Sequence, residues 1–359
     1  MDGTCLVFCE GAFNTPTGKT ANGLVRFTER YEVLGVIDSQ YASADAGDIL
    51  DGRPCGIPVF KSIDDAIKGT GEKPDYVVIG LAPDGGRLPE AYRRAILSAL
   101  LKGMNVDSGL HSFLNDDPEF SKAAVEWGGK IRDVRQSPPR DELHFWSGAI
   151  NDVDSLKIAV LGTDSAIGKR TTLNIIHREL RNRGTKSSRI GTGQTAWFQG
   201  FQYVTVMDAT INDFVAGELE HAVITAWKEQ EPEVILIEGQ GCLTHPAYPG
   251  GFEIIGACRP DAYILQHSPA RRDYDGFPGI PVAGLQKELD ILKILTEAIP
   301  LAITINHEYL TNTDVEQITK EYEEKYQMPC CDPLIHGCGK IAGKINRMLE
   351  MNPKQDHFS

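Results

Sequence analysis

An α/β protein of two domains, each built on a parallel sheet, is predicted by three features of this sequence. The chain of 359 residues is longer than one typical hydrophobic core requires. Short β-rich runs alternate with helical stretches in both halves, which is typical of parallel sheets with helices on their faces. A segment with paired prolines and little periodicity, DVRQSPPRDELHFWSGAIND, separates the halves. We therefore expect one domain at 1–150 and a second at 151–359.

The first half begins with a strand, a helix and a second strand. Strands are predicted at CLVF, VLGVID and YVVIGLAP, and the turn GAFNTPTGKT leads into a helix between the first two. This order, with Asp38 at the end of the second strand, predicts a Rossmann-like domain. No G-x-G-x-x-G motif accompanies Asp38, so we do not expect a nicotinamide cofactor. Lys19 in the GKT of the turn belongs either to a second anion-binding loop or simply to the start of the helix.

The second half repeats the alternation and predicts a second doubly wound sheet. A strand at LKIAVLG leads through a glycine-bearing loop into a helix at 168–183. Further strands are expected at SRIGTG, YVTVM, EVILIEG, AYILQH and LAITIN, and further helices at 214–229, 287–298 and 313–326.

The loop GTDSAIGKRTT has the composition of a phosphate-binding P-loop. Such a loop needs glycines that let backbone N–H groups turn toward a phosphate, a lysine and the start of a helix. Two departures from G-x4-GK-[ST] stand out, because five residues separate Gly162 from Gly168 and Arg170 takes the place of the hydroxyl that binds Mg²⁺. Thr171 is a possible substitute, and a loop that merely connects strand and helix is the alternative. The predicted cofactor-binding residues of this P-loop NTPase-like domain are Gly162, Thr163, Asp164, Ser165, Gly168, Lys169, Arg170, Thr171 and Thr172.

Other polar residues follow strands that should end at the same edge of the sheet. Glu238 ends the strand VILIE, where a carboxylate can hold a metal ion, act as a base or cap the next turn. Gln194 and Asp208 follow two other strands and are candidates for substrate contacts or for turn caps. A polar, glycine-rich passage after Glu238 supplies residues that could bind a carboxylate or, for histidine, move a proton: His245, Arg259, His267, Arg271 and Arg272.

Composition limits the partners. A net charge of −14 argues against nucleic acid, and no apolar run approaches the ~20 residues of a membrane span. The N-terminus lacks a basic n-region, so we expect a cytoplasmic protein whose eight cysteines are reduced. The cluster Cys330, Cys331, His336 and Cys338 matches no common zinc spacing, so no metal site is predicted there.

The order of the motifs resembles that of the DgcN-type family of two-domain P-loop proteins. The resemblance is carried by GTDSAIGKRTT, GTGQTAWFQG, DFVAGELE, IEGQGCLTHPAYPG and PDAYILQHSPAR, and it extends to NVDSGLHSFLNDDPE before the linker. The P-loop and IEGQG are similar, more distantly, to dethiobiotin synthetase.

The resemblance implies an N-acyltransferase that acts on an acidic amino acid. Described members of the family are D-glutamate N-acetyltransferases that use acetyl-CoA in D-amino-acid catabolism. By this resemblance the P-loop holds the CoA phosphates, while His245 and Arg271 meet the substrate carboxylates. Gln194, Asp208 and His267 stay candidate substrate contacts because of their positions at the ends of strands. The candidate catalytic residues are Glu238, as the base that deprotonates the amine, Lys169 and His245.

Two other functions stay open at this point. One is an ATP- and Mg²⁺-dependent ligase or kinase of the dethiobiotin synthetase type that acts on a small carboxylate. The other is a non-catalytic nucleotide-binding regulator. Apolar residues beyond those that the two sheets need make a homodimer the expected assembly.

Overall fold

Two parallel sheets organise the chain in the computed structural model, which describes residues 1–351. Each sheet belongs to its own unit. Unit 1 contains Met1–Pro138 together with Gln194–Phe201. Unit 2 contains Pro139–Gly193 and the described chain from Gln202 onward. The predicted two-domain α/β fold is confirmed.

Unit 1 has a six-stranded sheet in the order β3-β2-β1-β4-β5-β6, in which all neighbouring strands are parallel. This order has its switch point between β1 and β4, as in Rossmann-like domains. The strands are β1 (Gly3–Phe8), β2 (Tyr31–Ile37), β3 (Val59–Phe60), β4 (Tyr76–Ile79), β5 (Asn105–Ser108) and β6 (Ile131–Asp133). The helices are α1 (Lys19–Arg26), α2 (Ala46–Asp51), α3 (Ile63–Thr70), α4 (Glu90–Leu101) and α5 (Pro118–Trp127).

Unit 2 has a seven-stranded sheet in the order β13-β12-β11-β7-β10-β8-β9. Its strands are β7 (Leu156–Gly162), β8 (Ser187–Gly191), β9 (Tyr203–Val204), β10 (Val234–Glu238), β11 (Ala262–His267), β12 (Ile299–Ile305) and β13 (Cys330–Cys331). Its helices are α6 (Lys169–Asn182), α8 (Asn212–Gln230), α9 (Gly251–Cys258), α10 (Leu285–Leu295), α11 (Asn312–Tyr326), α12 (Pro333–His336) and α13 (Gly339–Met351), while α7 (Gln194–Phe198) belongs to unit 1. Since β7 lies between β11 and β10, the loop after it is flanked by the ends of two strands.

Local sequence explains where several helices begin and end. The Ser62 side chain accepts a hydrogen bond from the backbone N–H of Asp65 at the start of α3, and Gly71 ends that helix in the left-handed region at φ 75°. Thr311 and Asp314 form a capping box at the start of α11. These ends therefore follow from residues within one turn of the helix.

The structure divides the chain earlier than predicted. The units meet at Pro138 and Pro139, whereas the predicted boundary followed residue 150. Ile150 and Val153 are buried in the hydrophobic core of unit 2. In addition, Glu220 accepts hydrogen bonds from the backbone N–H groups of Ser147 and Ile150. The second half of the expected linker is thus a packed part of unit 2.

Three differences concern single elements. The short strands β3, β6 and β13 were not predicted, because two or three residues carry no periodicity. The helix α9 lies in the passage that the sequence analysis treated as a loop. Only Tyr203 and Val204 of the predicted strand YVTVM pair in the sheet. No helix within residues 1–351 is long and apolar enough to cross a membrane.

Candidate functional site

The P-loop joins β7 to α6 at the carboxyl edge of the unit 2 sheet. Gly162 ends β7 and Lys169 begins α6. Gly168 caps the helix in the left-handed region at φ 98°, a conformation that favours glycine. Because all neighbouring strands of this sheet within residues 1–351 are parallel, β10 and β11 end beside the loop, at Glu238 and His267. The predicted loop and strand ends therefore lie at one edge.

Lys169 is buried at the centre of this edge, with 7% of its surface exposed. Its Nζ donates hydrogen bonds to the carbonyl oxygens of Asp164, at 2.6 Å, and of Gly241, at 2.9 Å. Burial lowers the pKa of Lys169 to about 8, because the desolvated ammonium loses its hydration. The loop thus holds a cation whose partners are neutral carbonyl groups, and a phosphate would compensate its charge better.

Two glycines make room for the Lys169 side chain. A Cβ atom on either Gly162 or Gly239 would lie 3.0 Å from Cδ of Lys169. At Gly239 the added atom would also clash with the carbonyl oxygen of Val160. The IEGQG motif therefore supplies the wall against which the P-loop lysine packs, a role that the sequence analysis did not assign to its glycines.

Arg170 and Glu238 form an ion pair behind the loop. Nη1 of Arg170 lies 3.0 Å from Oε1 of Glu238. The other carboxylate oxygen of Glu238 accepts a hydrogen bond of 2.9 Å from the backbone N–H of Thr192, just after β8. The Glu238 side chain is 5% exposed and that of Arg170 26%. Both oxygens of the predicted base thus already accept hydrogen bonds.

Asp164 is a buried carboxylate that ties the P-loop to the segment after β11. Its Oδ2 accepts hydrogen bonds from Nη1 of Arg271, at 2.9 Å, and from the backbone N–H of Asp275, at 3.0 Å. Arg271 also donates to Oε2 of Glu308 at 2.7 Å. Arg271 is therefore engaged by two carboxylates of the protein itself, whereas the resemblance assigned it to the substrate.

His245 faces the same carboxylate. Its Nδ1 accepts hydrogen bonds from the backbone N–H groups of Ala247 and Tyr248, at 3.1 and 3.0 Å. The proton of the neutral ring is consequently on Nε2, which lies 3.4 Å from Oδ1 of Asp164. Burial lowers the pKa of His245. Nε2 is buried and makes no hydrogen bond among the described residues, so it is in contact with Asp164 without being hydrogen-bonded to it.

His267 and Thr172 belong to a hydrogen-bonded layer beneath the loop. Nδ1 of His267 lies 2.9 Å from the hydroxyl oxygen of Thr163, and burial lowers the histidine pKa to about 4. The hydroxyl groups of Thr172 and Thr304 both donate to Oε1 of Gln266. Gln266 was missed because nothing in its local sequence distinguishes it from other residues of a buried strand.

The remaining candidates lie elsewhere or have other partners. Gln194 begins α7 and is buried in unit 1. Asp208 is exposed in a short 3₁₀ turn after β9. Arg259 ends α9 before β11, at the opposite edge of the sheet from the P-loop, and donates to Asn151 at 3.0 Å. Arg272 is exposed next to Arg271.

The N-terminal GKT sequence forms a closed turn. Lys19 is exposed and begins α1. A Cβ atom on Gly18 would clash with the carbonyl oxygen of Ala12 and would approach that of Phe13 to 2.9 Å. Gly18 therefore packs directly against the backbone of the preceding turn. The helix-start interpretation accounts for this segment.

Three cysteines and a histidine lie close together near the C-terminus, and their spacing predicts no metal site. Cys330 and Cys331 form β13, and His336 ends α12. Across residues 1–351, no three or more His, Cys, Asp or Glu side chains are grouped so that they could hold a metal ion.

Comparison with known proteins identifies two family models, two similar sequences and a similar structure. Residues 144–342 match the family model DUF1611, described as a domain of unknown function and a P-loop domain, and residues 39–137 match DUF1611_N, a Rossmann-like domain. A protein named D-glutamate N-acetyltransferase from Tritonibacter scottomollicae is 31% identical over 281 residues, which cover 75% of this chain and 80% of that protein. A protein of the same name from Pseudoalteromonas sp. is 25% identical over 275 residues, with the same 75% and 80% covered. The crystal structure of a DUF1611 family protein from Anabaena variabilis ATCC 29413 superposes with a TM-score of 0.87 at 27% identity, covering 96% of this chain and 99% of that one.

Proposed function

The chain belongs to the DUF1611 family of proteins with a Rossmann-like and a P-loop domain, and from this membership we propose that it is an N-acyltransferase. The acceptor in this proposal is the amino group of an acidic amino acid, D-glutamate, and the acyl donor is acetyl-CoA. The names of two relatives support the reaction. Such a reaction would belong to D-amino-acid catabolism.

The observation that carries the proposal is the buried Lys169. CoA contains a diphosphate and a 3′-phosphate, so it is a ligand that a P-loop can hold without hydrolysing it. An oxygen of the diphosphate would replace the carbonyl groups of Asp164 and Gly241 as partners of Nζ. The lowered pKa of Lys169 indicates that the site gains from an added negative charge.

Acetyl transfer to an amino acid also requires a base, because the ammonium form of the amine is not nucleophilic. His245 is poorly suited, since its Nδ1 accepts two backbone N–H groups and its Nε2–H faces Asp164. Glu238 accepts two hydrogen bonds, which leaves further lone pairs, because a carboxylate has about four acceptor positions. The proposal therefore assigns proton removal to Glu238, with Arg271 fixing the P-loop through Asp164.

Calorimetry and product analysis test this function. Purified protein is titrated with acetyl-CoA and with ATP plus Mg²⁺, and each titration is repeated with Lys169→Ala. Lys19→Ala, which removes the exposed lysine of the other GKT sequence, is the matched control. We expect acetyl-CoA binding that only Lys169→Ala abolishes, and N-acetyl-D-glutamate as the product detected by mass spectrometry.

Other results would indicate the other functions. Binding of Mg²⁺–ATP alone, followed by ADP release with a small carboxylate, would replace acyl transfer with a ligase or kinase reaction. Tight nucleotide binding without turnover of any amino acid would indicate a regulator.

A further inference from the structure

The position that binds Mg²⁺ in P-loop proteins is occupied here by an internal ion pair. The residue after the P-loop lysine ordinarily offers a hydroxyl to the metal, and an acid on a neighbouring strand completes its coordination. Arg170 follows Lys169, and Glu238 ends β10, which pairs with β7. The two residues contact each other at 3.0 Å.

These residues do not fit the metal. Mg²⁺ requires oxygen ligands in near-octahedral geometry at about 2.0–2.1 Å, whereas a guanidinium offers only N–H donors. Glu238 accepts from Arg170 at one oxygen and from the N–H of Thr192 at the other, so a Mg²⁺ ion at this carboxylate would lie beside the positive charge of the guanidinium. Thr171 is the next residue of α6 and is turned about 100° around the helix from the position of Arg170. The hydroxyl of Thr172 donates to Gln266.

We propose that Arg170 replaces the metal and makes this P-loop selective for phosphate groups that carry no Mg²⁺. The inference rests on the proposed function only in that both place phosphate groups at Lys169. The guanidinium, held by Glu238, places a fixed positive charge beside the P-loop lysine, and a phosphate oxygen is attracted to that charge. A phosphate that arrives with its own Mg²⁺ would bring that cation against the fixed positive charge of Arg170.

The number of positive charges at the loop also favours binding of a phosphate group over its transfer. Lys169 and Arg170 bring two positive charges to the loop. A lysine and a Mg²⁺ ion would bring three. Phosphoryl transfer depends on electrostatic stabilisation of the charge that spreads over the phosphoryl oxygens. The Arg170 site therefore favours a CoA diphosphate, which acyl transfer leaves intact, over a triphosphate that must be cleaved.

The experiment measures binding of two probes, CoA and ADP, by calorimetry in EDTA and in excess Mg²⁺. For the wild-type protein we expect CoA to bind equally well in both, and ADP, which chelates Mg²⁺, to bind about tenfold more weakly when the metal is present. Arg170→Thr restores the hydroxyl, so its ADP affinity should fall in EDTA and recover with Mg²⁺. Arg178→Thr, which removes an exposed arginine of the same helix, should behave like the wild type.

A direct readout of the metal accompanies these titrations. Electron paramagnetic resonance should show Mn²⁺ bound with ADP to Arg170→Thr and not to the wild-type protein. Wild-type ADP binding that is strengthened by Mg²⁺ would overturn the inference, and this arm needs no variant if Arg170→Thr fails to fold. An unchanged metal response in a folded Arg170→Thr protein would overturn it as well.

The outcomes separate this inference from the proposed function. Metal-free ADP binding without acetyl-CoA binding would support the role of Arg170 and contradict acyl transfer from acetyl-CoA. CoA binding that requires Mg²⁺ would contradict the role of Arg170 and would support acyl transfer from CoA. If neither probe bound under any condition, both proposals would be wrong.

Discussion

The ammonium group of Lys169 lies 2.9 Å from the carbonyl oxygen of Gly241, so the P-loop lysine is held by the IEGQG motif before any ligand arrives. A second carbonyl, that of Asp164, lies 2.6 Å away. Neither partner carries a charge, and the side chain is buried. The free energy of ligand binding should therefore depend on the protonation of this one group.

The first prediction concerns the pH dependence of CoA affinity. Burial lowers the Lys169 pKa to about 8, so the ammonium is present below pH 8 and is lost above it. Because a phosphate needs the charged form, the affinity should fall about tenfold between pH 7 and pH 9, with proton uptake on binding near pH 8. Calorimetry in buffers of different ionisation enthalpy measures both quantities.

Lys169→Arg is the control for this titration, because arginine stays charged over the whole range. If Lys169→Arg binds CoA, its affinity should be flat from pH 7 to pH 9. A wild-type affinity that does not change between these pH values would contradict the assignment of the pKa to Lys169.

The second prediction concerns the space that Gly239 leaves for Lys169. Gly239→Ala places a Cβ against the carbonyl oxygen of Val160 and 3.0 Å from Cδ of Lys169. We expect a loss of about 1–3 kcal/mol in the free energy of unfolding of unit 2 and weaker CoA binding. Differential scanning calorimetry and ligand titration measure the two effects.

Gly256→Ala is the matched control in the same unit. A Cβ on Gly256 meets nothing within 4 Å, and the residue lies inside α9. Alanine has the higher helix propensity and should therefore stabilise α9 by roughly 1 kcal/mol. The melting temperature should rise slightly, and CoA affinity should stay unchanged. Equal behaviour of the two alanine variants would refute the packing argument.

The sequence predicted those parts of the site that depend on neighbouring residues. The P-loop between β7 and α6 and the acid at the end of β10 were both identified, since strand, glycine loop and helix start are local patterns. The contact between Asp164 and Arg271 was not predicted, because the two residues are 107 positions apart and meet only when β11 pairs with β7.

Two elements of the fold were missed for related reasons. The helix α9 contains Gly251 and Gly256, which lower helix propensity, and burial of Ile254 and Ile255 compensates for this. Gln194 comes three residues after the end of β8, yet Gln194–Phe201 belongs to unit 1, where Phe198 is part of the core. Membership of a hydrophobic core depends on tertiary packing, which short motifs do not encode.

The third prediction concerns the link between Asp164 and Arg271. Arg271→Ala removes a hydrogen bond of 2.9 Å and leaves a carboxylate that is 1% exposed with less compensation. Removing one partner of a buried ion pair costs about 3–5 kcal/mol, so the melting temperature of the protein should fall by several degrees.

Arg272→Ala provides the comparison, because Arg272 is exposed and adjacent in sequence. Its effect on the free energy of unfolding should stay within about 0.5 kcal/mol. If Arg271→Ala left the melting temperature unchanged and instead raised the KM for D-glutamate, the arginine would bind the substrate, as the family resemblance implied.

The last prediction separates two roles of Glu238. If Glu238 removes the proton from the amine, Glu238→Gln should lower kcat by about 10²–10⁴-fold with little change in the KM for acetyl-CoA, because glutamine cannot accept that proton. The single amide oxygen of glutamine can accept from Thr192 or from Arg170 but not from both in this geometry, so the variant keeps one hydrogen bond and loses the charge of the ion pair. Steady-state kinetics over a range of both substrates gives the two constants. A rise in the KM for acetyl-CoA at constant kcat would instead make Glu238 a positioning residue that acts on phosphate binding through Arg170. The same carboxylate would then serve the selectivity for metal-free phosphate, and the base would have to be sought among other residues.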